Sequence, residues 1–228
     1  MKRFKFYLFV TFIFVEITSC KKDHVVPQTP SFDYFPTEKG TYVVYDVDSI
    51  FHADNDNNTD DSVYVTHLQL KEVIDDTFLD GQGRPTQIIK RYRRSEDSLE
   101  WNELGVFTQV LASTGAYRTE ENIPYHKLAF PISDQTSWNG NDANMLTEEI
   151  YQYQSFHVPL NLNSLVFDST LSVLQVDDTN YIEKIYGIET YANHVGLIYK
   201  ERDDLHKVNG LVVKGTEFRM KATSFGKE

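Results

Sequence analysis

An acidic segment carries oxygen-bearing side chains at every second position, which is the ligand spacing in the first half of a calcium-binding loop. These side chains are Asp54, Asp56, Asn58 and Asp60. Carboxylate and amide oxygens are hard ligands that suit a hard cation such as Ca²⁺. The second half of the pattern is missing, because Thr59 stands at the turn-glycine position and Val65 at that of the bidentate glutamate. The segment therefore predicts a solvated hairpin loop, and a calcium site is the alternative.

A dense basic run is the second segment with chemical potential. Its cations are Lys90, Arg91, Arg93 and Arg94. Alternate side chains of a strand point to opposite faces, so Lys90 and Arg94 would share one face and Arg91 and Arg93 the other. The run predicts cross-strand pairing with acidic side chains. The alternative is a cradle for an anionic glycan or a lipid phosphate, since guanidinium groups bind such anions through two parallel hydrogen bonds.

Signatures of known catalytic sites are missing from the sequence. None of the seven histidines has the spacing of a His-Glu-x-x-His zinc motif, and there is no Gly-x-Ser-x-Gly elbow or phosphate-binding loop. The acidic pairs Glu148-Glu149 and Asp203-Asp204 are direct neighbours, which on a strand point to opposite faces. We therefore predict no enzymatic activity and no cofactor. The formal net charge of −12 also argues against a nucleic-acid partner.

Short segments rich in Val, Ile, Thr and Tyr make up most of the chain after residue 32. The dipeptides Asp80-Gly81, Asn139-Gly140 and Asn209-Gly210 accept the positive φ that a tight hairpin needs. The pattern predicts an all-β fold, an antiparallel meander of about ten strands that forms a curved sheet or an incomplete barrel. The predicted strands are residues 42–51, 63–74, 86–94, 105–113, 126–132, 145–158, 169–176, 181–191, 195–200 and 212–222.

Two pairs of similar segments indicate that the sheet could consist of two repeated halves. Phe35-Pro36 and Phe130-Pro131 each precede a turn and a strand that opens on an aromatic residue. Residues 73–77 and 175–179 share an Asp-Asp-Thr ending. The alternative is coincidence, because the same turn chemistry recurs in many β proteins.

The amino-terminal residues have the pattern of an export signal. Three basic residues precede an apolar run at 6–15, which is too short to span a bilayer, and the single cysteine of the chain, Cys20, follows at the end of this region. The tetrapeptide Ile17-Thr18-Ser19-Cys20 resembles the bacterial lipobox. This resemblance implies that residues 1–19 are a lipoprotein signal peptide and that Cys20 is acylated. Residues 20–31 would then be the lipidated cysteine with a flexible tether, and 32–228 a single β domain.

Four further segments of the chain have a recognisable pattern of packing and turn residues. They are residues 35–45, 81–94, 130–141 and 191–201. Together with the lipobox, they resemble uncharacterised lipoproteins of Bacteroidota envelopes. The family has no established activity. The resemblance implies a lipid-anchored protein of the outer membrane and leaves open whether the domain faces the periplasm or the cell surface.

Four Asp-Ser pairs are followed by Ile, Val, Leu or Thr. Their serines are Ser49, Ser62, Ser98 and Ser169. The triplets resemble the O-glycosylation sites of secreted Bacteroidota proteins, so the resemblance implies four candidate glycan acceptors. The alternative is that Asp-Ser is a common start of a turn.

The sequence leaves three functions open. The first is a membrane-anchored envelope lipoprotein that acts as a non-enzymatic binding or scaffold module, with an envelope glycan, a lipid or a protein as its unidentified partner. The second is a carrier that holds an apolar ligand in the groove of a half-barrel. The third is a hydrolase with an unrecognised site. Large inward-facing side chains would favour the first function, and an empty apolar groove the second.

Overall fold

The computed structural model of the protein describes residues 32–53 and 62–228. No helix in these residues has the length and apolar character needed to cross a membrane. The elements are a 3₁₀ turn η1 (Phe32–Tyr34) and strands β1 (Thr41–His52), β2 (Val63–Leu79), β3 (Pro85–Arg94), β4 (Asn102–Leu111), β5 (Gly115–Glu120), β6 (Ile123–Ala129), β7 (Ser137–Asn139), β8 (Ile150–Leu162), β9 (Leu165–Thr179), β10 (Glu183–Ala192), β11 (Gly196–Val208) and β12 (Leu211–Lys227).

All twelve strands belong to one antiparallel sheet in the order β6-β5-β4-β3-β2-β1-β12-β11-β10-β9-β8-β7. The sheet curves into a nearly closed, barrel-like shape, which confirms the predicted all-β meander. The predicted strand number of about ten was too low, because β5 and β7 were missed. β7 has only three residues, too few to show a period-two pattern, and β5 begins with Gly115 and Ala116, which are uncommon in strands.

The three predicted turn dipeptides agree with the structure to different degrees. Asn209 and Gly210 connect β11 and β12 with φ values of 53° and 79°, the left-handed pair that a two-residue hairpin requires. Asp80 and Gly81 begin the connection 80–84 between β2 and β3, so the turn lies where predicted, but its positive φ of 75° is at Gly83. At Asn139 and Gly140 a turn is present, but the tight hairpin was wrong: Asn139 ends β7, and Gly140 begins the longer connection 140–149 to β8. The reason is that the Asn139 side-chain oxygen accepts the amides of Asn141 and Glu149 and organises a wider loop.

The two edge strands, β6 and β7, meet along a seam that is closed by a backbone hydrogen bond and by side chains. The His126 amide donates to the Gly140 carbonyl at 2.9 Å, and Trp138 Nε1 donates to the His126 carbonyl at 2.8 Å. The Tyr153 hydroxyl accepts the Ala129 amide at 3.0 Å. These bonds satisfy groups of the β6 edge that would otherwise be open to pairing with another chain.

The segment before β1 folds into one end of the barrel. Tyr34 and Phe35 are buried and belong to an apolar cluster with Trp138, Tyr153 and Leu171. The Asp33 carbonyl accepts the His194 amide at 2.7 Å, and the Pro36 carbonyl accepts Gln109 Nε2 at 2.6 Å. This end of the barrel is therefore closed by the chain itself.

The predicted duplication has mixed support. Phe35-Pro36 precedes β1 and Phe130-Pro131 precedes β7, six strands later. Residues 73–77 lie in β2, whereas residues 175–179 lie in β9, seven strands later. In a repeat of two halves of six strands, equivalent segments would lie six strands apart. The first pair of segments meets this condition and the second does not, so the two-half arrangement stays a hypothesis.

Candidate functional site

Six charged side chains form a connected cluster on the inner face of the sheet. This inner ion cluster consists of Glu72 on β2, Arg118 and Glu120 on β5, Lys127 on β6, Glu189 on β10 and Lys200 on β11. Lys127 Nζ lies 2.9 Å from Glu120 Oε1 and 3.0 Å from Glu189 Oε1, and Lys200 Nζ lies 3.1 Å from Glu189 Oε1. Strands β6 and β10 are not neighbours in the sheet. The contact between Lys127 and Glu189 therefore crosses the interior and joins opposite walls.

Glu72 extends the cluster towards β3. Its Oε2 accepts Arg118 Nη2 at 2.6 Å, and its Oε1 accepts Arg91 Nε at 3.1 Å. The Arg91 guanidinium also stacks on the Phe107 ring, with 3.9 Å between Arg91 Cζ and the ring centre. Together with Arg91, the cluster has charged residues on four strands of the first half of the chain, β2, β3, β5 and β6, and each of these charges has an opposite charge as a neighbour.

Burial and ion pairing act in opposite directions on these groups. Burial would raise the pKa of Glu189, but the neighbouring Lys127 and Lys200 outweigh it and lower that pKa below the ordinary value. The same balance lowers the pKa of Glu120. Burial would lower the pKa of Lys127, but Glu120 and Glu189 outweigh it and raise that pKa. All three groups are therefore charged at neutral pH, with Glu189 only 1% and Lys127 4% exposed.

These shifts predict how stability depends on pH. A carboxyl group whose folded pKa is lowered stabilises the fold above its unfolded pKa of 4.5, and this contribution is lost as the pH falls further. Lys127 stabilises the fold below its unfolded pKa of 10.5, and this contribution is lost as the pH rises through the higher folded value.

We expect Glu189→Gln to destabilise the protein at pH 7. Below pH ~4.5 the difference from wild type should shrink by up to about 1.4 kcal/mol per pH unit. Urea denaturation at several pH values measures this, and a difference independent of pH would contradict it.

A cleft of about 480 Å³ opens beside the inner ion cluster. Glu120, Lys127 and Lys200 form part of its wall, together with Arg202 of β11 and Gln175 of β9. Its remaining lining consists of Tyr125, Asn141, Leu146, Thr147, Glu149 and Tyr151. The volume is within the range of small-molecule sites. Strands supply Glu120, Lys127, Gln175, Lys200 and Arg202, whereas Asn141, Thr147 and Glu149 come from the connection between β7 and β8.

The backbone of β9 and β10 is irregular where it lines the cleft. Val176 pairs with Gly187 and Leu174 with Ile188, so Gln175 is the extra residue of a β-bulge and has no partner on β10. A Cβ atom at Gly187 would lie 2.9 Å from Arg202 Nη1 and 3.3 Å from Arg202 Cδ. Glycine at this position lets the arginine cross closely over β10. Its Nη2 then reaches Glu149 Oε1 at 3.0 Å.

The predicted basic run is spread over both faces of β3, as its spacing indicated. Arg91 belongs to the inner network, whereas Lys90 Nζ lies 3.0 Å from Asp75 Oδ2 and Arg94 Nη2 lies 2.6 Å from Asp97 Oδ1. Arg93 is exposed. Three of the four cations thus have carboxylate partners. Those of Arg91 and Lys90 lie on the neighbouring strand β2, as cross-strand pairing predicts, whereas Asp97 lies in the connection that follows β3. Their use as a cradle for an external anion stays a prediction.

The other predicted sites lie partly outside the described residues, which include neither Cys20 nor the acidic positions 54, 56, 58 and 60. Of the predicted glycan acceptors, Ser98 is exposed in the connection between β3 and β4, and Ser49 and Ser62 are half-buried. Ser169 Oγ is 2.6 Å from the Tyr34 hydroxyl and so lies against the closed end of the barrel. Within residues 32–53 and 62–228, no group of three or more His, Cys, Asp or Glu side chains is arranged to hold a metal ion.

Sequence reasoning missed the inner ion cluster. Its residues are far apart in the chain, and each one alone has the appearance of an ordinary surface charge. One local signal was available, because Glu189 alternates with Gly187 and Tyr191 and so lies on the same strand face as these residues. A charge on a face that also carries a large aromatic residue indicates a buried, paired group.

Comparison with known proteins gives little further information. No protein-family model matches the chain. No curated protein matches it. Among solved structures, a candidate lipoprotein from Parabacteroides distasonis shares 11% sequence identity over 87% of this chain and 100% of its own, with a TM-score of 0.41. Likeness at this level identifies neither a ligand nor an activity.

Proposed function

We propose that this protein is a lipid-anchored protein of the outer membrane whose β domain binds a polar ligand in the inner cleft without converting it. The observation that supports this proposal most directly is the cleft of about 480 Å³, whose wall contains paired charges from β5, β6 and β11. Ion pairs that join opposite walls hold such side chains in fixed positions, which favours recognition. The side of the membrane on which the domain lies is left open.

The packing of the interior supports a binding module over a carrier of an apolar ligand. The space beneath Phe35 and Pro36 has a volume of about 50 Å³, enough for a few water molecules but not for an acyl chain. Its lining also includes charged residues of the inner ion cluster, such as Glu72 and Arg118. Large side chains fill the rest of the described core, including Tyr45, Leu128 and Ile198. An empty apolar groove was the feature that would have favoured the carrier.

The protonation states of the acidic groups support binding over hydrolysis. Glu120 lines the cleft, and its neighbours lower its pKa. A hydrolase that cleaves glycosides needs one carboxyl group with a raised pKa to protonate the leaving group. Every described carboxyl group with a shifted pKa, including Asp203 and Glu189, is shifted downward. Such groups hold cations and accept hydrogen bonds.

The membrane anchor is tested by Cys20→Ser. A lipobox cysteine is the site of acylation, and several acyl chains are needed for stable anchoring. We expect the variant to lose its acyl chains and to leave the membrane fraction, as measured by mass spectrometry and cell fractionation. Cys20→Ser protein that still sediments with membranes after a high-salt wash would contradict the anchor.

The binding function is tested by screening the purified protein against envelope glycans, lipids and a panel of chromogenic esters and glycosides. We expect binding to at least one polar compound and no turnover. Turnover that survives rigorous purification and disappears on substitution of a single acidic or hydroxyl residue would replace the binding function by an enzymatic one.

A further inference from the structure

We propose that the ligand of the inner cleft is a neutral saccharide, recognised by the Gln175 amide and the Tyr125 side chain. This inference rests on the binding function proposed above and names the chemical class of its ligand. It depends on three independent features of the cleft: its charge balance, its unpartnered polar groups and its aromatic surfaces.

The charge balance of the cleft favours a ligand without net charge. Lys127 and Lys200 are paired with Glu120 and Glu189, and Arg202 is paired with Glu149. An anionic ligand would have to compete with these carboxylates for the lysine and arginine side chains. A cationic ligand would have to compete with those side chains for the carboxylates. A neutral ligand can accept hydrogen bonds from the cations and donate to the carboxylates while the pairs persist.

Gln175 is a buried polar group without a partner. It is only 6% exposed and lines the cleft, yet its side-chain amide makes no hydrogen bond with any residue in the described part of the chain. The amide atoms are not among the fully buried, unpartnered atoms of the described residues, so they are open to the cleft and available to a ligand. An amide donates and accepts at once, as a sugar hydroxyl does, and the two groups can form a reciprocal pair of hydrogen bonds.

Tyrosine side chains supply the complementary apolar surface. Tyr125 is half-buried and lines the cleft, and its hydroxyl has no hydrogen-bond partner among the described residues. The Lys127 ammonium lies 5.1 Å from the centre of the Tyr125 ring. Tyr151 lines the same cleft, and its hydroxyl donates to Glu149 Oε2 at 3.3 Å. An aromatic ring beside hydrogen-bonding groups fits a sugar, which combines an apolar C–H face with a rim of hydroxyl groups.

The experiment uses the detergent-solubilised full-length protein and an array of neutral mono- and disaccharides that includes cellobiose, maltose and diacetylchitobiose. Glucuronate and glucosamine serve as charged sugars, and saturation-transfer NMR and calorimetry measure binding. We expect binding of at least one neutral sugar, which Gln175→Leu should weaken by at least about tenfold through loss of its hydrogen bonds. The thermal unfolding midpoint of Gln175→Leu should change little, because the Gln175 amide makes no hydrogen bond within the described residues that leucine would remove.

Gln87→Leu is the matched control. Gln87 is 3% exposed, its Oε1 also has no partner among the described residues, and it lies on β3 outside the cleft lining. This variant should keep full affinity. Tyr125→Phe, which removes only a hydroxyl group at a half-buried position, provides a second test if Gln175→Leu is misfolded, and it should also weaken binding.

The remaining outcomes separate this inference from the proposed function. Neutral sugars that bind equally well to wild type, Gln175→Leu and Tyr125→Phe would place their site elsewhere and overturn the inference. Binding restricted to charged sugars or lipids and sensitive to Gln175→Leu would overturn the saccharide assignment but leave the binding function standing. No binding of any sugar or lipid in either panel would overturn both.

Discussion

Replacing Glu189 with leucine is expected to lower the free energy of unfolding by about 3–5 kcal/mol, a large share of the total stability of a domain. Glu189 is 1% exposed, and its Oε1 contacts both Lys127 and Lys200. Its Oε2 accepts the buried Tyr191 hydroxyl at 2.6 Å. Without this carboxylate, the buried Lys127 ammonium keeps only one of its two carboxylate partners, Glu120, and the Tyr191 hydroxyl loses its hydrogen-bond acceptor. Urea denaturation followed by circular dichroism measures the loss.

The double variant Lys127→Met, Glu189→Leu isolates the ionic contribution. Removing both members leaves the ion pair between Lys200 and Glu120, with an Nζ to Oε2 distance of 3.6 Å, and no uncompensated buried charge. We expect the double variant to recover most of the stability lost in Glu189→Leu. The exposed pair of Glu38 and Lys227 is the surface control, and Glu38→Gln should leave the unfolding midpoint unchanged. Equal effects of Glu38→Gln and Glu189→Leu would contradict the role of burial.

Replacing Trp138 with alanine is expected to lower the free energy of unfolding by about 3–5 kcal/mol and to open the seam. The Trp138 ring lies 4.8 Å from that of Tyr153 and 6.0 Å from that of Tyr151, measured between ring centres. Its Nε1 also supplies one of the hydrogen bonds that join β7 to β6. We therefore expect faster hydrogen exchange at the His126 amide, which donates across the seam, than at amides between β1 and β12. Exchange that accelerates uniformly would mean that the seam has no separate stability.

Two further tryptophan variants separate packing from hydrogen bonding. Trp138→Phe keeps a ring but loses the bond to the His126 carbonyl, so a loss of about 1–3 kcal/mol is expected. The Arg94 guanidinium lies over the Trp101 ring, with 4.3 Å between Arg94 Cζ and the ring centre. Trp101 does not belong to the apolar clusters of the described residues. Trp101 is half-buried, so its replacement by alanine should cost less than that of Trp138, and a cation–π contact near the surface contributes only about 0.5–1 kcal/mol of the loss.

These effects would follow from a barrel whose two walls are joined by charges as well as by apolar packing. Buried ion pairs contribute little net stability compared with apolar residues of the same volume, but breaking one is strongly unfavourable. Such pairs therefore restrict the arrangement of the walls rather than simply strengthen it. For the proposed binding function this restriction is useful, because Glu120, Lys127 and Lys200 belong both to the ion cluster and to the cleft.

The strands and several of their turns could be predicted from local sequence. Period-two alternation reports which residues share a face of a strand, and this property holds whatever the strand packs against. The hairpin at Asn209 and Gly210 was predictable for the same reason, since the left-handed conformation is a preference of these two residues alone. Strands β5 and β7 escaped prediction because their neighbours in the sheet, rather than their own composition, make them strands.

Closure of the sheet and the position of the site were decided by tertiary structure. Neither the seam between β6 and β7 nor the pairing of β1 with β12 has a local signal, because both join residues that are distant in the chain. The same is true of Lys127 and Glu189, whose contact requires that two walls face each other. The sequence by itself determined which side chains share a strand face. Only the curvature of the whole sheet decided which faces are buried together, since a charged group is stable inside a protein only beside the partner that the fold brings to it.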